Sequence, residues 1–129
     1  MPACGTTPLA KKLQIKPGRS VAIGNAPEGF ADLVGELPEG ARIAKGLRGK
    51  SDVVIVFVKK LKELEKAESW KRAMNETNIL WVCYPKLAAK TGSDLNRDAI
   101  HPVLEKKGLK TNAMCSIDDT WTGMRFKRV

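Results

Sequence analysis

The sequence predicts an α/β fold in which helices cover both faces of a mostly parallel sheet. Residues 52–58 (DVVIVFV) are almost all β-branched or aromatic, and the run ends abruptly at Lys59 and Lys60. A strand that is apolar on both faces is typical of a parallel sheet covered on both sides. A second apolar run, residues 79–84 (ILWVCY), follows an amphipathic segment with helical spacing. This alternation predicts three layers, with the sheet between two layers of helices.

Short elements precede the central strand. They are a helix over residues 7–13, a turn at 16–18, a strand at 20–24, a helix from 27 to about 34, and a strand at 41–45. Pro8 and Pro27 suit the first positions of the two helices. The strand at 41–45 fits beside the first strand only if the link to Asp52 crosses roughly 20 Å as an extended chain. Otherwise residues 41–44 are not a regular sheet strand.

The remaining elements follow the central strand. They are a helix from Leu61 to Met74 that ends within 75–78, a strand at 79–84, a helix from an N-cap at Asp98 to Gly108, and strands at 109–117 and 124–129. Pro102 sets the start of the last helix, because proline is tolerated in a first turn, where its missing N–H has no helical partner. The final strands, joined by a loop at 118–123, predict a C-terminal antiparallel hairpin.

Length and composition fit a single α/β domain over residues 1–129. The chain is 43% hydrophobic and 29% charged, as in ordinary globular proteins. Its longest strongly apolar run is too short to cross a bilayer, and no signal peptide follows Met1. The three cysteines are widely spaced, which argues against a disulfide framework and a zinc site. We therefore expect a reduced cytoplasmic protein that does not associate with membranes.

The formal net charge of +9 favours anionic partners. The basic residues are scattered along the sequence, and no block combines them with several aromatic residues. Nucleic-acid binding is therefore only weakly supported, and the lysines can equally serve to solvate the surface. The oligomeric state is left open.

The order of elements resembles a shortened class I methyltransferase with a Rossmann-like fold. Residues 52–58 are similar to the fourth strand of that family, residues 78–86 to its fifth, and the chain from Gly108 onward to its final hairpin. The resemblance implies S-adenosylmethionine as cofactor, but three departures argue against it. The turn after the first strand carries a proline and Glu28, Lys45 lies near the position of the family's ribose-binding acid, and a third strand and helix are missing from the pattern. We therefore predict no cofactor.

Short stretches along nearly the whole chain form a second pattern: TPL at 7–9, KL at 12–13, IKPG at 15–18, NAPEGF at 25–30, WV at 81–82, PK at 85–86, and Asp118 with TW at 120–121. In combination they resemble a bacterial domain family of unknown function. That family implies no activity or catalytic residue, so this resemblance supports the fold and leaves the function open.

A candidate ligand site lies at the edge where the predicted parallel strands end. The predicted ligand-binding residues are Asn25, Glu28, Lys59, Lys86, Ser93, Asp118 and Trp121. Lysines supply charge and free N–H groups supply direction, so this edge can hold a phosphate or a carboxylate. The alternative is that these residues only cap helices, end strands and form turns.

No catalytic residue or metal ligand is predicted. The sequence contains no P-loop, GxGxxG or zinc pattern, and no Ser-His-Asp arrangement is suggested. His101 has no cysteine or histidine partner at ligand spacing. We interpret the chain as a non-catalytic binding or regulatory module for an anionic ligand or partner. The alternatives are a divergent S-adenosylmethionine-dependent methyltransferase and a nucleic-acid-binding protein.

Overall fold

The structure, a computed structural model, describes residues 13, 15–25, 39–45, 50–85, 97–117 and 121–128. They contain a six-stranded sheet with the order β2-β1-β3-β4-β6-β5. The strands are Ser20–Gly24 (β1), Arg42–Lys45 (β2), Ser51–Phe57 (β3), Met74–Pro85 (β4), Leu109–Ser116 (β5) and Trp121–Arg128 (β6). β1 is parallel to β2 and β3, and β3 is parallel to β4, whereas β6 is antiparallel to both β4 and β5. The predicted fold class is confirmed, including the C-terminal hairpin.

The described helices connect β3 to β4 and β4 to β5. They are a 3₁₀ helix at Leu61–Lys66, α1 at Ala67–Ala73 and α2 at Arg97–Lys106. Within the described ranges, no helix is both long enough and apolar enough to span a lipid bilayer. The helix predicted over 27–34, and most of the one predicted over 7–13, lie outside the described residues.

β3 is buried on both of its faces. Val54, Val56 and Val58 pack with the helices on one face, whereas residues 53, 55 and 57 pack on the other face with a cluster that includes Leu13. All six side chains are at most 2% exposed. Burying a side chain of this size contributes about 1.5–3 kcal/mol, so this strand is the centre of the core. The prediction that this strand is covered on both faces is confirmed, and the helices predicted to cover the second face lie largely outside the described residues.

β2 is a regular strand of the sheet. Its pairing with β1 runs in register from Ser20 and Arg42 to Ile23 and Lys45. β3 pairs with the opposite edge of β1, so the short link after β2 does cross the first strand. The interpretation with residues 41–44 in the sheet is therefore correct.

A carboxylate joins the amino ends of three parallel strands. Asp52 Oδ1 accepts a hydrogen bond of 2.6 Å from Asn75 Nδ2, and Asp52 Oδ2 accepts one of 2.9 Å from the backbone N–H of Ser20. The Asn75 bond and then the Ser20 bond hold the pKa of Asp52 below its ordinary value. Asn75 is also the first sign that a predicted boundary is wrong. β4 begins at Met74, so residues 75–78 belong to this strand and do not end a helix as predicted. They form an irregularity between the pairs Ser51–Met74 and Val53–Ile79.

Two further boundaries differ from the prediction. α2 begins at Arg97, so Asp98 lies in its first turn and is not the N-cap. Pro102 sits inside this helix, where Asp98 and Pro102 are both exposed and water can satisfy the carbonyl that lacks a helical partner. β6 begins at Trp121, so residues 121–123 belong to this strand and not to the loop predicted over 118–123. Gly123 suits the strand because a Cβ atom there would meet the buried side chains of Trp81 and Ile117.

Candidate functional site

The candidate site lies at the edge where the parallel strands end. From β1 the chain passes to β2 on one side, and it then continues to β3 on the other side of β1. This reversal is a topological switch point, and open α/β sheets hold ligands in the crevice beyond the strand ends there. Asn25 follows β1 and Lys59 comes two residues after β3, so these predicted residues flank the switch point.

Asn25 turns the chain away from the sheet at the end of β1. Its φ of 56° lies in the left-handed region, which asparagine adopts more readily than most residues. Gly24, the last residue of β1, has no side chain, and Asn25 is exposed. The end of β1 therefore carries no side chain at Gly24, so a ligand can approach the backbone closely there.

Glu63 is held at the end of β3. Its Oε2 accepts hydrogen bonds from the backbone N–H groups of Lys59 at 2.6 Å and Lys60 at 3.1 Å. Bonds of this kind are charge-assisted and satisfy donors at the start of a helix. The backbone N–H groups of Lys59 and Lys60 are therefore already occupied and are not available to an anion. The end of β3 carries a fixed negative charge instead.

The two lysines whose backbone binds this carboxylate have exposed side chains. The side chains of Lys59 and Lys60 are both exposed, whereas Glu63 is half-buried. Residues of both charge signs are thus present at one side of the switch point, and two backbone hydrogen bonds fix the carboxylate there.

Trp121 lies beside the end of β4, where it pairs with Pro85. It is 7% exposed, and its ring packs edge-on against Phe57, the last residue of β3, with centroids 5.0 Å apart. Such an aromatic pair contributes about 0.5–1.5 kcal/mol beyond the burial of area. Trp121 therefore covers the sheet beside the candidate site, and its predicted role in ligand binding stays a prediction.

The structure brings Asn25, Lys59 and Trp121 to one edge of the sheet. The other predicted ligand-binding residues lie outside the described residues: Glu28, Lys86, Ser93 and Asp118. Sequence reasoning missed Glu63. A glutamate three residues after a helix N-cap is half of the capping-box pattern, but Lys60 occupies the position where that pattern has serine or threonine.

A cavity of about 400 Å³ lies away from the switch point, between the start of α2 and the C-terminal hairpin. It is lined by Asp98, His101, Thr111, Ala113, Met114 and Met124. None of the predicted ligand-binding residues lines it. Among the described side chains, no group of three histidines, cysteines or acidic residues comes together as a metal site.

Several solved methyltransferases share this fold. Ribosomal protein L11 methylase from Lactobacillus delbrueckii subsp. bulgaricus matches with a TM-score of 0.63 and 13% identity, covering 93% of this chain and 74% of that one. A SAM-dependent methyltransferase from Aquifex aeolicus matches with a TM-score of 0.62 and 13% identity, covering 94% of this chain and 88% of that one. Magnesium protoporphyrin IX methyltransferase from Synechocystis PCC 6803, solved with bound SAM, matches with a TM-score of 0.54 and 12% identity. The match covers 94% of this chain and 78% of that one.

The fold is methyltransferase-like. Identities this low show the fold alone, and at that level the resemblance predicted from the order of elements is confirmed. No family model matches the chain, and no curated protein sequence matches it. The resemblance to the bacterial domain family of unknown function therefore stays a prediction.

Proposed function

We propose that the chain is a divergent S-adenosylmethionine-dependent methyltransferase whose cofactor binds at the switch point between β1 and β3. The fold supports this function over the anionic-ligand module that the sequence favoured. The observation that carries the proposal is the fixed carboxylate of Glu63 at the end of β3.

The charge of the cofactor explains why Glu63 matters. S-adenosylmethionine carries a sulfonium, an ammonium and a carboxylate, so it has a net positive charge at neutral pH. Opposite charges 4 Å apart attract by about 1 kcal/mol in bulk water and by about 4 kcal/mol near a protein surface. A carboxylate already bonded to two N–H groups needs little ordering to make this contact. It repels a phosphate at the same position.

The other residues of the switch point fit the cofactor in part. The turn at Gly24 and Asn25 permits close approach to β1, and the Asn25 amide can donate to the carboxylate of the cofactor. Lys45 ends β2 where the resembling family has a ribose-binding acid. The ribose would lack that contact, so we expect weak binding. When bound, the cofactor supplies an electrophilic methyl group.

Isothermal titration calorimetry with the full chain tests the proposal. S-adenosylmethionine should bind saturably, and Glu63→Gln should lower its affinity about fivefold or more, the equivalent of about 1 kcal/mol. Glu65→Gln is the matched control, because Glu65 is an exposed acid of the same 3₁₀ helix. S-adenosylhomocysteine lacks the sulfonium charge, so Glu63→Gln should lower the affinity for this ligand less than the affinity for S-adenosylmethionine.

The absence of saturable binding at millimolar cofactor would rule the function out. Equal losses from Glu63→Gln and Glu65→Gln would show that Glu63 does not contact the cofactor.

A non-catalytic module for an anionic ligand is the second candidate function. The exposed amines of Lys59 and Lys60 at the same strand end favour it. Thermal denaturation with phosphate and with citrate separates it from the first function, because a bound ligand raises Tm. An upshift that Lys59→Ala removes, with no upshift from S-adenosylmethionine, favours the anionic ligand.

A further inference from the structure

Cations that are scattered along the sequence converge at the edge where the parallel strands begin. Arg42 begins β2 and Lys50 precedes β3. Lys110 of β5 and Lys127 of β6 are register partners, next to the pair formed by Leu109 and Arg128. We infer that this edge binds the phosphate backbone of a nucleic-acid duplex, and this inference is independent of any cofactor at the opposite edge.

The hairpin and the helix ends are fixed to this edge by hydrogen bonds. Arg128 Nη2 donates to the carbonyl of Asn75, near the start of β4, at 2.7 Å. Lys71 Nζ, near the end of α1, donates at 2.7 Å to the carbonyl of Lys107, just after α2. The C-terminal ends of both helices therefore lie side by side where β4 and β5 begin.

We define the basic edge as six exposed side chains: Arg42, Lys50, Arg72, Lys106, Lys110 and Lys127. None of the six pairs with a carboxylate among the residues that the structure describes. The two in the helices also complement the helix dipoles, since each lies in a last turn. That role does not account for the other four cations, of which three lie in strands and Lys50 immediately precedes β3.

The pair of Lys110 and Lys127 is unfavourable for the isolated protein. Like charges directly opposite each other on adjacent strands destabilise a sheet. Asp52, a carboxylate at this edge, is engaged by Ser20 and Asn75, and Glu39 lies in the exposed turn beside Gly18. A partner with closely spaced negative charges would relieve this repulsion.

The size and composition of the edge favour a duplex. Strands lie about 4.8 Å apart, so six strands span roughly 24 Å. A duplex carries one negative charge per roughly 1.7 Å of its axis, so about 14 phosphates lie along that length. Every aromatic side chain that the structure describes is at most 7% exposed, which leaves no described platform for stacking unpaired bases. We therefore expect backbone contacts without sequence preference.

Fluorescence anisotropy of the full chain with a labelled 24-base-pair duplex, across a potassium chloride series, tests the inference. With four to six contacts, the slope of log K against log salt should lie between about −3.5 and −5.5. The double variant Lys110→Gln/Lys127→Gln should reduce this slope by about 2 and the affinity at 0.1 M salt by about tenfold or more.

The matched control is Lys62→Gln/Lys66→Gln, which removes the same charge from exposed positions of the 3₁₀ helix. It should leave the slope unchanged. The Lys110/Lys127 double variant should fold with an unchanged or higher Tm, because it removes a repulsion. Lys50→Gln, outside the hairpin, provides a second variant and should reduce the slope by about 1.

Three results would overturn the inference. One is an affinity for the duplex that does not depend on salt. Another is an equal loss of affinity in the two double variants, which would indicate that binding depends on net charge and not on the basic edge. The third is tighter binding, at the same salt, to vesicles of phosphatidylserine and phosphatidylcholine or to an unpaired strand of the same sequence.

Discussion

Gly123 of β6 should accept a side chain only at a cost in stability, and Gly123→Ala tests the packing of the sheet face that carries Trp121. A Cβ atom at this position would lie 3.1 Å from Cε3 of Trp81 and 3.2 Å from Cδ1 of Ile117. These neighbours are 1% and 5% exposed. Carbon atoms in contact prefer about 3.5–4.0 Å, so at least one of them must move.

Trp81 is the neighbour that moves least easily. Its Nε1 donates to the carbonyl of Leu13 at 3.0 Å, and the guanidinium of Arg125 lies 6.0 Å from the ring centroid. Overpacking a core costs about 1–3 kcal/mol, whereas alanine gains about 0.4–1 kcal/mol over glycine through the unfolded chain. Gly123→Ala should therefore lower the free energy of unfolding by about 1–2 kcal/mol, or Tm by roughly 3–8 °C.

Urea denaturation followed by tryptophan fluorescence measures this loss, and Ile117→Val locates its cause. That substitution removes Cδ1, and alone it should cost about 0.5–1.5 kcal/mol. The double variant Gly123→Ala/Ile117→Val should lose at least about 0.5 kcal/mol less than the sum of the two single losses, because the clash with Cδ1 is gone. Additive losses, or a stabilising effect of Gly123→Ala, would refute this packing.

Two further predictions concern stability. Folding lowers the pKa of Asp52 from its ordinary value of 3.8. Its contribution to the free energy of unfolding is therefore complete above pH 3.8 and is lost as the pH falls through the lower pKa of the folded state. Asp52→Asn should cost roughly 1–2 kcal/mol at pH 7 and flatten the acid limb of the stability curve, which urea titrations from pH 7 to about 2 measure. A wild-type acid limb in Asp52→Asn would contradict this role. Trp121→Ala should cost about 3–5 kcal/mol by the same denaturation assay. An unchanged affinity for S-adenosylmethionine in the folded variant would show that the ring only packs, and a weaker affinity would support ligand contact.

The hydrophobic runs carry most of the information about the fold. Residues 53–58 are apolar on both faces of a strand, and only a strand covered on both sides buries all of them. The position of β4 follows from the next such run, but its start at Met74 does not. That start depends on hydrogen bonds of Asn75 to Asp52 and from Arg128, whose partners are distant in sequence.

The candidate site could be predicted only as an edge of the sheet. Residues that follow strands, such as Asn25 and Lys59, can be assigned to that edge once the strands are known to be parallel. The carboxylate of Glu63 could not, because its two backbone partners become available only with the bend between β3 and the 3₁₀ helix. Nor does the sequence show that Lys110 and Lys127 are neighbours, since this follows from the register of the hairpin.

A titration of the ¹⁵N-labelled full chain with S-adenosylmethionine, followed by ¹H–¹⁵N correlation spectra, tests the proposed cofactor site most directly. We predict saturable shifts of the amide resonances of Gly24, Asn25, Lys59 and Lys60, with Lys110 and Lys127 unaffected. Spectra that do not change, or shifts confined to the cavity beside α2, would contradict the assignment of the switch point as the cofactor site.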